Sequence, residues 1–367
     1  MFVESIELKN YRNINSAKIV LSPGVNIFFG DNAQGKTNLL ESVYVSSVAR
    51  SHRGSRDREL IRFGEEDAHI RLFFRKEPLS HRLDVHLRKN HSKGIAIDSI
   101  PVKRSADLMG VLPVVFFSPE DLSLIKNGPA GRRRFVDMEM SQLDRLYLKN
   151  LIAYNKILTE RNNLLKQINV YPALIDTLDG WDHQLIESGL YLIRKRREFS
   201  LEINRIMKTI HSGISGGKEE ILVEYDPNTT EMEFRENVRR NRNKDILSGS
   251  TSCGPHKDDL LFSINGIDIR RFGSQGQQRT AALSLKLSEI RLMEDRIGDK
   301  PVLLLDDVLS ELDVHRQNQL LNHIRDVQTL VSCTGLDELV RNRADTDKIY
   351  RVRDGNFSEY KEDGTEE

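Results

Sequence analysis

A chain of 367 residues with 38% hydrophobic and 30% charged side chains is long enough for one composite domain or two, and too apolar to stay unfolded. Lysine and arginine together number 55, as do aspartate and glutamate, so no overall positive field marks a nucleic-acid partner and any such partner has to be held by local patches. Two cysteines, Cys253 and Cys333, are too few for a disulfide framework or a zinc site. Glu4 and Glu7 near the start argue against a signal peptide and no apolar stretch reaches membrane-spanning length, so a cytoplasmic protein in a reducing compartment is expected, with no membrane partner.

In chain order, apolar residues alternate from Phe2 to Leu8, and Val25 to Phe29 is a short apolar run stopped by Gly30; both predict strands. Gly30-Asp31-Asn32-Ala33-Gln34-Gly35-Lys36-Thr37 follows and fits GxxxxGK(S/T), placed between a strand and an apolar helix that starts near Asn38. Short alternating segments at His69 to Phe74, Arg82 to Leu87 and Leu112 to Phe116, with Pro78, Asn90 and Gly94 between them, predict an antiparallel β region. From about Pro129 to Gly213 the pattern turns helical, in at least two long helices that Pro172 and the Thr177 to Gly180 segment break into an antiparallel pair. After a polar stretch from Asn237 to Lys244, Leu260 to Ile264 and Ile267 to Ile269 flank an Asn265-Gly266 hairpin turn. A polar loop, Ser274-Gln275-Gly276-Gln277-Gln278, opens a helix carrying Ala282, Leu283, Leu285, Leu287 and Ile290, and the chain then finishes as strand, helix, strand. Glu362 to Glu367 reads as a disordered tail.

Three of these segments carry chemistry. In the first motif the glycines let backbone N–H groups and a helix N-terminus face phosphate oxygens, Lys36 reaches the terminal phosphates, and the Thr37 hydroxyl ligates Mg²⁺. The second is Val302-Leu303-Leu304-Leu305-Asp306-Asp307, an apolar strand buried on both faces and closing on two carboxylates. Asp306 at its carboxyl end is placed to hold Mg²⁺ through water and Asp307 to orient or deprotonate an attacking water, the plain alternative being a solvated strand end. The long separation of these two motifs means that something large is inserted between them. In the third, Ser274, the flexible Gly276 and the helix N-terminus form a receptor for a γ-phosphate, though alone such a loop is more often an N-cap with Ser274 or Gln275 satisfying helix donors.

Together the motifs resemble the ABC-type ATPase head of the DNA-associated branch that includes the SMC proteins, and within it the RecF family over nearly the whole chain. The marks of that family are Leu8-Lys9-Asn10-Tyr11-Arg12-Asn13, Ser51-His52-Arg53, Phe117-Ser118-Pro119-Glu120-Asp121-Leu122, Gly131-Arg132-Arg133-Arg134-Phe135, Gly254-Pro255-His256-Lys257-Asp258-Asp259-Leu260 and Asp306-Asp307-Val308-Leu309-Ser310-Glu311-Leu312-Asp313. The resemblance implies an α/β fold: an ABC-type head, with a mixed P-loop sheet and an antiparallel β region, made by a discontinuous lobe I (1–118 and 247–367) around a helical lobe II (119–246). It implies ATP and Mg²⁺ as ligands, slow DNA-stimulated hydrolysis, and an ATP-dependent head-to-tail homodimer on double-stranded DNA and at single-strand to double-strand junctions. It also implies work with RecR, and with RecO, in helping RecA to load. The nucleotide-binding residues so implied are Arg12, Gly30, Asp31, Asn32, Ala33, Gln34, Gly35, Lys36, Thr37 and Asn38. Lys36, Ser274, Gly276, Gln277 and Asp307 take the catalytic roles, and Thr37 and Asp306 hold the metal.

Departures from the wider ABC pattern are informative. No LSGG precedes Gln277-Gln278, which argues against a transporter subunit. Ser118-Pro119-Glu120-Asp121 stands where such heads carry a glutamine loop, and Ser332-Cys333-Thr334 where they carry a switch histidine. The polar Asn243-Lys244-Asp245-Ile246 has its aspartate one place too early for a GTP-reading element. For DNA contact the candidates are Arg53, Arg132, Arg133, Arg134, Arg194 and Arg197, in clusters that supply local density of positive charge, with Arg239, Arg240 and Arg242 as a further group. Each cluster taken singly is more often a solvated or salt-bridged face, and His256 an anchor of its Gly-Pro turn. The competing functions are an ABC-type subunit coupled to another machine, such as a transporter, and a scaffold that holds ATP.

Overall fold

The computed structural model describes residues 1–335 and 346–360; the expected tail from Glu362 lies outside them. Two compact units divide the chain, the first made of Met1–Asp121 with Glu289–Glu367 and the second of Leu122–Ser288.

The first unit contains two sheets. Strands β1 (Phe2–Tyr11), β2 (Ile14–Val20), β4 (Asp67–Lys76), β5 (Leu79–Arg88), β6 (Gly94–Ile97) and β7 (Ile100–Pro101) form an antiparallel sheet in the order β2-β1-β4-β5-β6-β7. Their alternation puts Val3, Ile6, Leu8, Ile70, Leu72, Phe74, Leu83, Val85 and Leu87 into the core and their charged neighbours into water. Strands β3 (Val25–Phe29), β8 (Val114–Phe117), β12 (Val302–Asp306), β13 (Thr329–Cys333), β14 (Thr346–Arg353) and β15 (Asn356–Glu359) form the second sheet, ordered β15-β14-β3-β13-β12-β8. All its pairings are parallel except β14 with β15. Val114–Phe117 was expected in the antiparallel region; it pairs in parallel with β12 instead, and being buried along its whole length it lacks the alternation of a half-exposed strand.

Helix α1 (Lys36–Val48) touches strands of both sheets, which explains a composition without an apolar stripe. Leu39, Leu40 and Val43 are fully buried, each contributing about 1.5–3 kcal/mol. The buried Ser42, Ser46 and Ser47 donate to the carbonyls of Leu39, Ser42 and Leu112, so small hydroxyls allow close approach at no cost in unpaired donors. Helix α9 (Val314–His323) is capped by Asp313, which accepts from the Arg316 N–H, and connects β12 to β13.

The second unit is mainly helical: α2 (Pro129–Leu143), α3 (Arg145–Ile168), the long α4 (Leu178–Ser215), α5 (Phe234–Arg240), α6 (Arg242–Ser248), α7 (Ile269–Phe272) and α8 (Gln275–Ile297), of which α8 continues past Ser288. Asp144 caps α3 by accepting from the N–H groups of Leu146 and Tyr147, and the chain reverses through Pro172–Thr177, as the breaker residues predict. Strands β9 (Ile221–Asp226), β10 (Asp259–Ile264) and β11 (Ile267–Asp268) complete it, with Asn265 and Gly266 at φ of 51° and 77° in the expected two-residue turn. The unit therefore runs to Ser288, past the expected boundary at 246, because β9 on one side of that boundary pairs along its length with β10 on the other. Among the described residues no helix is long and apolar enough to cross a membrane.

Candidate functional site

Three parallel strands bring the first unit's chemistry to one edge. Phe28 of β3 is in register with Ser332 of β13, and Ser332 with Asp306 of β12, so the strands reach their carboxyl ends side by side, where open α/β sheets bind ligands. The loop from Gly30 to Gly35 leaves β3 at this edge and enters α1. Two of its positions need glycine: Gly30 has φ of 152° and a Cβ there would meet the Val352 carbonyl at 2.3 Å, while at Gly35, with φ of 119°, it would meet the Asn13 amide at 3.0 Å. The Gln34 side-chain oxygen accepts from the Asp354 N–H at 2.6 Å and the Gln34 carbonyl from the Gly355 N–H at 2.9 Å, tying the loop to the β14–β15 turn. Asn38 donates to Asn13, whose amide reaches the Ala33 carbonyl, while Asp31, Asn32 and Ala33 are exposed.

Lys36 is 3% exposed, and its ammonium donates to the Gly30 carbonyl at 2.6 Å and the Asp31 carbonyl at 2.9 Å, folded over its own loop. The Thr37 hydroxyl lies 2.7 Å from Asp306 Oδ1, and the Ser332 hydroxyl donates to the same oxygen at 2.7 Å. The Asp307 N–H donates to Ser332 Oγ at 2.9 Å, which turns the next carboxylate away from the strand at a left-handed φ of 51°. A non-glycine residue held in that region is the kind of local strain that functional sites retain. Burial raises the Asp307 carboxyl above the ordinary aspartate range, with Lys36 opposing and Asp306 reinforcing the shift. The site thus gathers a cation, two hydroxyls and two carboxylates, and Ser332, one residue of the segment set against a switch histidine, is the hydroxyl that links the Asp306 carboxylate to the Asp307 backbone.

Arg12 sits beside this edge. Its guanidinium grips Glu41 through both oxygens at 2.9 and 3.0 Å and also donates to Ser55 and to the Glu59 carbonyl. Glu41 is fully buried on α1, and these contacts hold its carboxyl below its usual range against the opposing effect of burial. His52 stacks on Phe116 with ring centroids 4.0 Å apart, and burial lowers its pKa to about 4, leaving the ring neutral. Asp121 accepts from the Ser118 N–H at 2.8 Å, closing a turn directly after β8. The Arg12 to Glu41 clamp escapes sequence reading, since Glu41 is only one polar residue on a buried helix.

In the second unit, Ser274 and Gln277 cap α8 reciprocally: the Gln277 N–H donates to Ser274 Oγ at 3.1 Å and the Ser274 N–H to Gln277 Oε1 at 3.0 Å. The capping alternative is therefore present, and Ser274 is also exposed at the start of a long helix. The Gln277 side-chain amide donates to Glu219, whose other oxygen faces His211 at 3.1 Å, so the loop is braced from β9's approach and α4.

The arginines separate by burial. Arg53, Arg134, Arg194 and Arg197 are exposed, Arg194 with an ion pair to Glu231, and the half-buried Arg133 donates to the Asp258 carbonyl. Arg132 must be withdrawn as a DNA candidate: it is 1% exposed, forks onto Asp259 at 2.6 and 2.8 Å, and donates to the carbonyls of Leu124, Ile125 and Asn127. Arg196 is likewise buried between Asp137 and Asp258. His256 Nε2 faces the Thr251 carbonyl, so the proton sits there, and Nδ1 accepts from the Tyr154 hydroxyl at 2.7 Å; the ring anchors its turn. Arg132→Ala is expected to destabilise the protein by about 3–5 kcal/mol, since Asp259 is left as a partly buried unpaired charge. Denaturant unfolding checks it.

Residues 2–358 match the family model for the RecF/RecN/SMC N-terminal domain. A DNA replication and repair protein RecF from Agathobacter rectalis is 54% identical over 355 residues, covering 97% of this chain and 98% of that relative. The solved structure of the recombination mediator protein RecF with ATP, from the RecFOR pathway, superposes with a TM-score of 0.88 at 33% identity, over 98% of this chain and 97% of that one. An SMC head domain from Pyrococcus furiosus, bound to the C-terminal domain of ScpA, shares the fold at a TM-score of 0.57 and 16% identity, over 97% of this chain and 95% of its own.

Proposed function

The chain belongs to the RecF family of DNA replication and repair proteins, ATP-binding relatives of the SMC heads, and from that premise we propose that ATP joins two copies head to tail on duplex DNA near gaps, with slow hydrolysis releasing them. On this reading the protein helps to load a RecA-type recombinase together with RecR and RecO. The observation that carries it is the convergence of Lys36, Thr37, Asp306, Asp307 and Ser332 on one sheet edge.

Each group has a task that follows from its position. The N–H groups of the loop and the α1 N-terminus receive phosphate oxygens, and Lys36 exchanges its two loop carbonyls for the terminal phosphates. Thr37 Oγ1 and Asp306 Oδ1 are adjacent oxygen donors of the hard type that suits Mg²⁺, and they would hold it. When bound, that ion neutralises charge on the β- and γ-phosphates. Asp307, aimed by its backbone bond to Ser332, orients the attacking water and takes its proton. The signature-like loop at Ser274 to Gln278 is assigned to the nucleotide of the other subunit, where the exposed serine and the α8 N-terminus face the γ-phosphate.

DNA contact falls to the exposed arginines Arg53, Arg134 and Arg197, with Arg133 and Arg194 at the margin of their clusters. ATP turnover is expected to rise on adding duplex DNA, and log affinity to fall linearly with log salt. Neutralising each exposed arginine should lower the slope by about one, with little dependence on DNA sequence. Turnover indifferent to DNA would favour an ATP-holding scaffold, and a slope unchanged by all three variants would move the DNA contact to backbone amides or lysines.

A further inference from the structure

The antiparallel sheet carries on one face a group that the nucleotide site does not use. Asp67 and His69 stand two residues apart on β4 and so share a face, and His86 on β5 is the direct cross-strand partner of His69. Asp67 Oδ2 lies 3.5 Å from His69 Nε2 and 3.0 Å from His86 Nε2, so two imidazole nitrogens converge on one carboxylate oxygen. One nitrogen or oxygen from each of the three residues falls within 4.8 Å of the others. A tetrahedral ion with bonds of about 2.0–2.2 Å spaces its ligand atoms roughly 3.3–3.6 Å apart, close to the two measured separations. The side chains of Asp67, His69 and His86 are 44%, 47% and 35% exposed, which leaves the convergence point open to solutes.

A simple ion pair accounts for one of these contacts and leaves the second imidazole unexplained. The two rings stack with centroids 3.9 Å apart and an angle of 17°, held there by strand register. For both nitrogens to aim at one ion the rings have to splay by side-chain rotation, which their half-exposed setting permits. Two nitrogens and one carboxylate suit borderline divalent metals, whereas Mg²⁺ keeps to oxygen ligands.

We propose that Asp67, His69 and His86 form a binding site for a divalent cation of the Zn²⁺ or Ni²⁺ class, distinct from the Mg²⁺ position at the nucleotide. The protein supplies three ligands and leaves the fourth place to water, and the bound ion cross-links β4 to β5.

Calorimetric titration of the full chain with ZnCl₂, in chelator-free buffer without nucleotide, is expected to show one ion per chain, and the thermal unfolding midpoint to rise with zinc concentration. His69→Gln and His86→Gln preserve exposed polar surface, and each should weaken zinc binding by at least about tenfold, the loss incurred by removing even an outer partner of a ligand. Both variants should lose the zinc-dependent rise in midpoint while binding ATP normally. Zinc binding of unchanged affinity in both variants, or no zinc binding by the unsubstituted chain, overturns the site.

Discussion

Asp307→Asn is expected to bind ATP and associate on DNA while losing turnover by about 10²–10⁴-fold, the range supplied by a positioned general base. That corresponds to roughly 3–5 kcal/mol of barrier. The substitution isolates the carboxylate for two reasons. Asparagine tolerates the left-handed φ of 51° at this position about as well as aspartate, so the backbone turn is kept. The bonds that aim the residue come from its own N–H to Ser332, so they survive the change. Asp306→Asn is the contrasting variant, because Asp306 accepts from Ser332 and Thr37 directly and its loss disturbs the metal position and the loop together. Single-turnover hydrolysis beside a nucleotide-binding titration separates the two. Normal hydrolysis by Asp307→Asn would assign the base elsewhere, with Glu120 or Asp121 next in line.

Mixing Lys36→Ala protein with Ser274→Arg protein is expected to restore activity that neither has alone. Lys36 is the buried cation of the loop, and without it the phosphates lose their charge-assisted partner. Ser274 is exposed at the α8 N-terminus, where an arginine fills the space meant for a phosphate. In a head-to-tail dimer each nucleotide lies between the Lys36 loop of one subunit and the Ser274 loop of the other, so each homodimer has two damaged sites. A mixed dimer collects both lesions in one site and leaves the other intact. Random pairing at equal concentrations then returns about one quarter of the wild-type sites. The measurement is DNA-stimulated turnover of the mixture against each variant at the same total concentration. If Ser274 served the nucleotide of its own subunit, every site would keep a lesion and mixing would recover nothing. Because Ser274 also caps the Gln277 N–H, helix content of the Ser274→Arg protein should be compared first, the cap being worth about 1 kcal/mol.

Much of this was legible in the residues themselves. Gly30 to Thr37 and Val302 to Asp307 could be read as a tight loop before a helix and a buried strand with charged ends because each pairs a steric requirement with an ionic one: glycines where no Cβ fits, followed by a cation and a hydroxyl, and an unbroken apolar strand ended by carboxylates. The helical insertion was legible through its periodicity and its Pro172 break, and the β10–β11 hairpin through Asn265-Gly266. These are local properties, decided by backbone sterics and by which face of one element meets water.

What tertiary structure alone decided are pairings between distant segments. Val114–Phe117 reads as one more short strand, and only its neighbour β12, far along the chain, makes it parallel. Ser332 has no motif of its own; it matters because β13 lies between β3 and β12 and delivers a hydroxyl to Asp306. The boundary of the second unit moved to Ser288 because β9 and β10 hydrogen-bond across the place where composition changes. Arg132 and Arg134 stand two residues apart in one basic run, yet one is locked onto Asp259 and the other is exposed, since a helix turns successive residues to different sides and only the fold supplies the buried carboxylate. A sequence states which side chains can bear charge, and their partners, set by contacts between residues 62 and 127 positions apart, determine whether that charge faces a ligand or the core.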